Sequence, residues 1–117
     1  MRNLKLLMLT SMLIVASANA DTQQEINHLL DYVANTDCQY DRNGRIYDGL
    51  EARDHINLKY EYYKDKIETT EDFIKYAATK SKLSGEKYKI HCPGYEPVYA
   101  GDWLLTELRI YRENNNK

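Results

Sequence analysis

Apolar residues recur at the three-to-four-residue spacing of an α-helix in four stretches of this chain. Three of these stretches follow a residue pair with the form of a capping box, in which side chains and backbone amides at the helix start satisfy each other. The pairs are Thr22 with Glu25, Asp48 with Glu51, and Thr69 with Asp72. The spacing and the caps predict helices over residues 23–34, 50–65, about 70–80 and 101–112.

The apolar residues of these four helices define the predicted core. Each helix presents one apolar stripe to the interior and its polar residues to solvent. The expected inward positions are Ile26, Leu29, Leu30 and Val33 in the first helix, Ala52, Ile56 and Tyr63 in the second, Phe73, Ile74 and Ala77 in the third, and Trp103, Leu104, Leu108 and Tyr111 in the last.

Two shorter patterns predict a small sheet. Asn43-Gly44 lies between two short segments and supplies the positive φ angles of a tight hairpin turn. Further along, Tyr88, Ile90 and Cys92 alternate with other residues, as in a strand with one buried face. The order of elements predicts an α+β fold, in which about four helices pack on a small antiparallel sheet made of a hairpin plus one strand.

The first 20 residues have the form of an export signal. Arg2 and Lys5 precede an apolar run over residues 6–16, and Ala18 and Ala20 are the small residues that a signal peptidase recognises. The run is too short to cross a bilayer, which requires about 20 residues. We therefore expect a signal peptide over residues 1–20, a single globular domain over residues 21–117 outside the cytoplasm, and no membrane span after the signal is removed.

Cys38 and Cys92 are the only cysteines of the chain. In an oxidising compartment an even number of cysteines in a small domain predicts a disulfide. The bond would close a loop of 92 − 38 + 1 = 55 residues, which removes roughly 4 kcal/mol of chain entropy from the unfolded state. A redox function is not expected, because the sequence has no Cys-x-x-Cys pair.

The net charge and the aromatic composition of the chain indicate which kinds of binding partner to expect. Residues 21–117 contain 14 basic and 18 acidic side chains, so their formal charge is 14 − 18 = −4. Nucleic acid is therefore not expected as a partner, since phosphate binding needs a positive surface. Eleven tyrosines accompany one Phe and one Trp. This bias indicates either a core with amphipathic walls or a binding surface rich in tyrosine.

The sequence contains none of the motifs that carry common chemistries. His28, His55 and His91 are scattered without metal-ligand spacing, and both thiols are expected in the disulfide, so no metal site is predicted. There is no Gly-x-Ser-x-Gly elbow and no glycine-rich phosphate loop. We therefore predict no catalytic residue and no cofactor.

The second predicted helix carries the one unusual arrangement. His55 and Lys59 lie four residues apart at the border of its apolar stripe, beside Tyr62 and Tyr63. On a structural interpretation, the Lys59 stem covers the edge of the core and His55 is a hydrogen-bonded boundary residue. On a functional interpretation, these four side chains line a binding site, and they are the site residues that we predict.

Taken in order, several short motifs resemble those of the YfeK-like family of small exported bacterial proteins, whose domain has no known function. The motifs are Cys38-x-Tyr40-x-Arg42-Asn43-Gly44, Glu51-Ala52-x-x-His55-x-x-x-Lys59-Tyr60, Glu71-Asp72-Phe73-Ile74, Ser81-x-x-Ser84-Gly85-x-x-Tyr88, Cys92 and Trp103-Leu104. The resemblance implies a protein of the Gram-negative periplasm with one disulfide. It implies no established activity.

Three functions are compatible with these observations. The first is a small non-catalytic module that binds a periplasmic protein or a small ligand through its tyrosines. The second is an enzyme that uses His55 as a base and Lys59 as its electrostatic partner. The third is a structural or stress-related protein without a defined ligand. A narrower form of the first function is a lysozyme inhibitor, because Ser84-Gly85-x-x-Tyr88 looks like the loop signature of one class of such inhibitors. Those inhibitors resemble β-barrels, whereas this sequence predicts a mostly helical chain.

Overall fold

The computed structural model describes residues 21–116. The predicted signal peptide over residues 1–20 lies outside them. Helix α1 covers residues 21–34 of the described part. Helix α2, Gly49–Tyr63, continues into the 3₁₀ turn Lys64–Lys66, helix α3 is Thr70–Phe73, and helix α4 is Ala100–Asn115. Four helices are thus found at the predicted places, and no helix in the described residues is long and apolar enough to cross a membrane.

Two of the three predicted capping boxes are confirmed. Asp48 and Glu51 begin α2, and Thr69 and Asp72 begin α3, each with both reciprocal hydrogen bonds. The box predicted at Thr22 and Glu25 is wrong, because residues 21 and 22 are already helical. The Glu25 carboxylate instead accepts hydrogen bonds from the Arg112 guanidinium and the Thr70 hydroxyl, which join α1 to α4 and α3.

The third helix differs in type from the prediction. After Phe73 it widens into the π-helix Ile74–Ala78, so it ends before Lys80. The Thr79 hydroxyl donates to the Ile74 carbonyl at 2.7 Å and satisfies one carbonyl group near the end of the helix. Lys80 then pairs with Lys87 in an isolated antiparallel bridge, which closes the loop between them.

The sheet is antiparallel and has the order β2-β1-β3-β4. Its strands are β1 Gln39–Arg42, β2 Arg45–Tyr47, β3 Lys89–His91 and β4 Val98–Tyr99. The predicted hairpin and third strand are confirmed, and the hairpin turn has positive φ at Asn43 (56°) and Gly44 (89°). The prediction missed β4, a two-residue edge strand directly before α4.

The core lies between the helices and one face of the sheet. It contains sixteen buried side chains, namely Ile26, Leu29, Val33, Tyr40, Ala52, Ile56, Tyr60, Phe73, Ile74, Ala77, Ala78, Tyr88, Ile90, Ala100, Leu104 and Leu108. Leu30, Cys92 and Trp103 pack against it while partly exposed. In α2 the buried tyrosine is Tyr60, whereas the predicted Tyr63 is only partly buried. The helix is therefore rotated slightly, which turns Tyr63 toward its outer edge.

The disulfide between Cys38 and Cys92 is present. Gln39 pairs with His91 in the ladder between β1 and β3, so the two cysteines immediately flank paired residues of adjacent strands. The bond therefore joins the hairpin to the third strand, as predicted, and α+β is confirmed as the fold class.

Candidate functional site

A cleft of about 340 Å³ runs between α2 and the loop that follows the third helix. We call it the tyrosine cleft. Its lining residues are Arg42, His55, Leu58, Lys59, Tyr62, Tyr63, Ser81, Lys82, Leu83 and Tyr88. All four residues predicted as a site thus lie along one concave surface, and their role in binding stays a prediction.

A depression of about 350 Å³ elsewhere on the surface is close in size to the cleft, but its arginine, Arg112, is paired with Glu25. Two further depressions are clearly larger, and their chemistry is less suited to a ligand. One of about 500 Å³ lies between α1 and α2, and its arginine, Arg53, is already paired with Asp54 at 2.9 Å. The other, of about 570 Å³, surrounds Tyr60 and Ile67 and contains Glu68 but no basic side chain. The tyrosine cleft differs from both because it combines basic side chains with exposed apolar groups.

Lys59 lies partly buried on the α2 wall of the cleft. Its Nζ donates to the Lys80 carbonyl at 2.7 Å and to the Tyr88 hydroxyl at 3.3 Å, and lies 5.0 Å from the centre of the Tyr88 ring. An ammonium group has three N–H donors, so these contacts use two of them. The structure therefore holds Lys59 in a defined position and leaves one donor for a further acceptor.

Arg42, which the sequence did not indicate as a site residue, enters the cleft from the end of β1. Its Nη1 donates to the Tyr47 hydroxyl at 3.2 Å, and its guanidinium lies 5.3 Å and 5.5 Å from the ring centres of Tyr47 and Tyr88. Its Nε is shielded from solvent without a hydrogen-bond partner. The aromatic faces thus stabilise this charge in place of a carboxylate.

His55 has no hydrogen-bond partner on its shielded Nε2. Burial first, and then the nearby positive charges of Arg42 and Lys59, together lower the pKa of His55 to about 4. The ring is edge-on to Tyr88, with their centres 6.5 Å apart. His55 is therefore neutral at pH 7, and its Nε2 has no hydrogen-bond partner among residues 21–116.

The low pKa of His55 predicts a loss of stability in acid. The unfolded chain takes up a proton near pH 6.5 and the folded protein only near pH 4, so the unfolded state binds more protons between these values. When the pH is lowered from 7 to 4, the free energy of unfolding of the wild type should fall by about 1–2 kcal/mol more than that of His55→Gln. The effect is moderate because solvent screens the partly exposed ring. Urea unfolding of both proteins at each pH measures this. Equal losses would contradict it.

The rim of the cleft is apolar and exposed. Leu83 is 100% exposed, Tyr62 73% and Leu58 70%. The Lys82 Nζ lies over the rings of Tyr62 and Tyr63, at 5.3 Å and 5.6 Å from their centres, and these tyrosines raise the pKa of Lys82. A side chain or ligand that covered this rim would remove apolar surface from water.

Among the residues that the structure describes, no carboxylate lines the cleft. Within residues 21–116, no carboxylate oxygen lies within 4.0 Å of the cationic nitrogens of Arg42, Lys59 or Lys82. By contrast, Arg112 is held by both Glu25 and Glu71, at 2.7 Å and 2.8 Å. The cleft is therefore a local concentration of uncompensated positive charge on a chain whose net charge is negative.

The other candidate residues lie apart from one another. His28 contacts Glu107 at 2.7 Å, and His91 contacts Asp41 at 3.0 Å on the sheet. In the part of the chain that the structure describes, no group of three or more His, Cys, Asp or Glu residues could hold a metal ion. Ser84 is exposed and hydrogen-bonds Asn43 at 3.4 Å, so it has no histidine partner.

Sequence reasoning found only the part of the cleft that lies on one helix. His55, Lys59, Tyr62 and Tyr63 follow the i, i+4, i+7 and i+8 spacing of one helix face. The remaining lining residues belong to β1, to the loop over residues 81–83 and to the start of the strand region at Tyr88. Four lysines lie near Leu83 in the sequence, at positions 80, 82, 87 and 89. This cluster could have indicated that the loop contributes basic side chains to the cleft.

Comparison with known proteins places the chain in a family. A family model described as a family of unknown function (DUF5329) matches residues 20–112. The chain is also 34% identical over 74 residues to the uncharacterized protein YfeK of Salmonella typhimurium, a match that covers 62% of this chain and 62% of that protein. No solved structure matches it. The resemblance to YfeK-like proteins is thereby confirmed, and the chain belongs to the family of unknown function DUF5329.

Proposed function

We propose that this protein is a small binding module of the periplasm, delivered there by residues 1–20, and that the tyrosine cleft is its binding site. One observation carries the proposal: three basic side chains without carboxylate partners and three exposed apolar side chains face the same concave surface. Exposed apolar side chains that lie together often mark a binding surface, and cations without a carboxylate partner can contact an anionic group of the bound molecule.

Catalysis by His55 is a weaker alternative. A general base works best when its pKa lies near the operating pH, whereas the pKa of His55 is lowered to about 4. The Lys59 ammonium is in addition engaged with the Lys80 carbonyl and Tyr88. The cleft thus offers contacts for a ligand but no activated group for a reaction.

Lysozyme inhibition is also less well supported. The motif Ser84-Gly85-x-x-Tyr88 does not form one exposed loop, because Tyr88 is only 1% exposed while Ser84 lies at the surface. The fold is α+β with a four-stranded sheet. A muralytic assay with the purified protein tests this function directly, and we expect no inhibition at micromolar concentration.

Replacing Lys59 with Met tests the proposed site. Met keeps most of the stem packing, and no ion pair is lost, so the free energy of unfolding should change by no more than about 1 kcal/mol. The protein is produced by expressing the full sequence with ¹⁵N label and is followed by NMR. Added periplasmic extract should shift the amide signals of residues around the cleft in the wild type. The same extract should not shift them in Lys59→Met.

The matched control is Lys66→Met, since Lys66 is an exposed lysine in the turn after α2 and does not line the cleft. In Lys66→Met, the extract should shift the amide signals around the cleft as it does in the wild type. A loss of more than about 3 kcal/mol in Lys59→Met would assign Lys59 to the architecture and contradict the proposal. So would extract-induced shifts that are equal in Lys59→Met and the wild type.

A further inference from the structure

We infer that the ligand of the tyrosine cleft is a small organic anion, a carboxylate or phosphate joined to an apolar group, bound as a free molecule. This inference rests on the proposed function and adds the chemical class of the ligand. It follows from the basic side chains that line the cleft, the exposed apolar side chains beside them and the volume of the cleft.

The basic side chains define the anionic end of the ligand. Lys59 on α2 and Lys82 on the following loop both line the cleft, and Arg42 adds a third positive charge from β1. Lys59 retains one N–H donor, and the Lys82 ammonium is exposed at the opening. A carboxylate or phosphate oxygen placed between the two lysines would accept charge-assisted hydrogen bonds, which are stronger than neutral ones.

The charge of the cleft also excludes other ligand classes. A cationic ligand would meet three positive groups and no carboxylate. A neutral ligand would leave those charges without a partner.

The rim defines the apolar end. Leu58 on α2 and Leu83 on the loop are 70% and 100% exposed on the two sides of the opening, and Tyr62 is 73% exposed between them. An alkyl chain or ring that extends from the anionic group toward the opening would contact these side chains and remove their apolar surface from water. Anion and apolar group therefore have separate places in one cleft.

The volume favours a small molecule over a macromolecule. The cleft measures about 340 Å³, at the lower end of the range of about 300–1,000 Å³ found for small-molecule sites. The chain around it is acidic overall, at 14 − 18 = −4 for residues 21–117, which weakens attraction to an extended anionic surface such as a lipid bilayer or nucleic acid. We therefore commit to a free amphiphilic anion.

Octanoate is a suitable probe, because it carries one carboxylate and an apolar chain of a size that suits the cleft. Titrated into ¹⁵N-labelled protein, it should shift amide signals of α2 around Lys59 and of the loop around Leu83, with a dissociation constant at or below about 1 mM. Octylamine has the same chain with a positive charge, and 1-octanol has it without charge. Neither should shift these signals comparably at the same concentration.

Two variants locate the anion. Lys82→Gln should weaken octanoate binding about five-fold, since it removes an exposed charge beside the site. Lys87→Gln is the matched control, because Lys87 is also an exposed lysine over a tyrosine, 4.9 Å from the Tyr99 ring centre, but does not line the cleft. It should change octanoate binding less than about two-fold.

The outcomes separate this inference from the proposed function. Equal shifts from octanoate and octylamine, or equal weakening by Lys82→Gln and Lys87→Gln, would overturn the anionic ligand. So would binding to phosphatidylglycerol vesicles without binding to octanoate. If octanoate has no effect while periplasmic extract shifts cleft signals, the ligand class is wrong and the binding module stands. If neither probe acts on the cleft, both proposals fail.

Discussion

Replacing Cys38 and Cys92 with serine is expected to lower the free energy of unfolding by about 2–5 kcal/mol. The bond closes a 55-residue loop and joins β1 to β3 at the edge of the core. Without it the unfolded chain gains conformational freedom, and a domain of about 97 residues has only about 5–15 kcal/mol of stability in total. Urea unfolding of the variant and the oxidised wild type measures the difference.

A reductant provides the control for this prediction. It should destabilise the wild type by about the same amount and leave the double serine variant unchanged. Thiol labelling of the unreduced, denatured wild type should find no free cysteine, in agreement with the disulfide. Two reactive thiols, or a midpoint of unfolding that is the same in variant and wild type, would contradict the prediction.

Gly49→Ala is expected to destabilise the protein by about 3 kcal/mol, as overpacking at a rigid contact does. Gly49 is the first residue of α2 and is buried against the end of α1. A Cβ atom there would overlap the Val33 carbonyl oxygen and lie 2.9 Å from the Ala34 carbonyl oxygen. Both obstacles are backbone, so a side-chain rotation cannot relieve them. Thermal or urea unfolding measures the loss.

Gly85→Ala is the matched control, because it adds the same methyl group in open space. A Cβ at Gly85 meets nothing within 4 Å, although the residue has a φ of +74°. Its cost should therefore be that of the left-handed backbone alone, about 1 kcal/mol. If Gly49→Ala cost no more than Gly85→Ala, the close packing of α1 on α2 would not be the constraint at this position.

The elements that could be predicted are those specified by local sequence. The turn at Asn43 and Gly44 follows from residues that tolerate positive φ, and α2 begins where Asp48 and Glu51 cap each other. The capping box at Thr22 and Glu25 did not form because residues 21 and 22 are already helical, and the Glu25 carboxylate binds the distant Arg112. Strand β4 was missed because two residues are too few to show the alternation of apolar and polar positions that indicates a strand.

The candidate site was predictable only along its helical wall. Residues four and seven apart on α2 share a face whatever surrounds them, so His55, Lys59 and Tyr62 could be grouped from spacing alone. Arg42 and Lys82 join them only because β1 and the loop after the third helix pack beside α2. The lowered pKa of His55 also has a tertiary origin, since burial and the neighbouring charges of Arg42 and Lys59 cause it.

The sequence by itself determined the order of the four helices and the first three strands, the α+β class and the Cys38–Cys92 pairing. Caps, turns, periodicity and the presence of only two cysteines are properties of the chain. The tertiary structure alone decided that Tyr60 rather than Tyr63 is buried, and that the basic side chains of the cleft have no carboxylate partner. The reason is physical: a helix's rotation and a charge's neighbours depend on elements that are distant along the chain and become adjacent only when it packs.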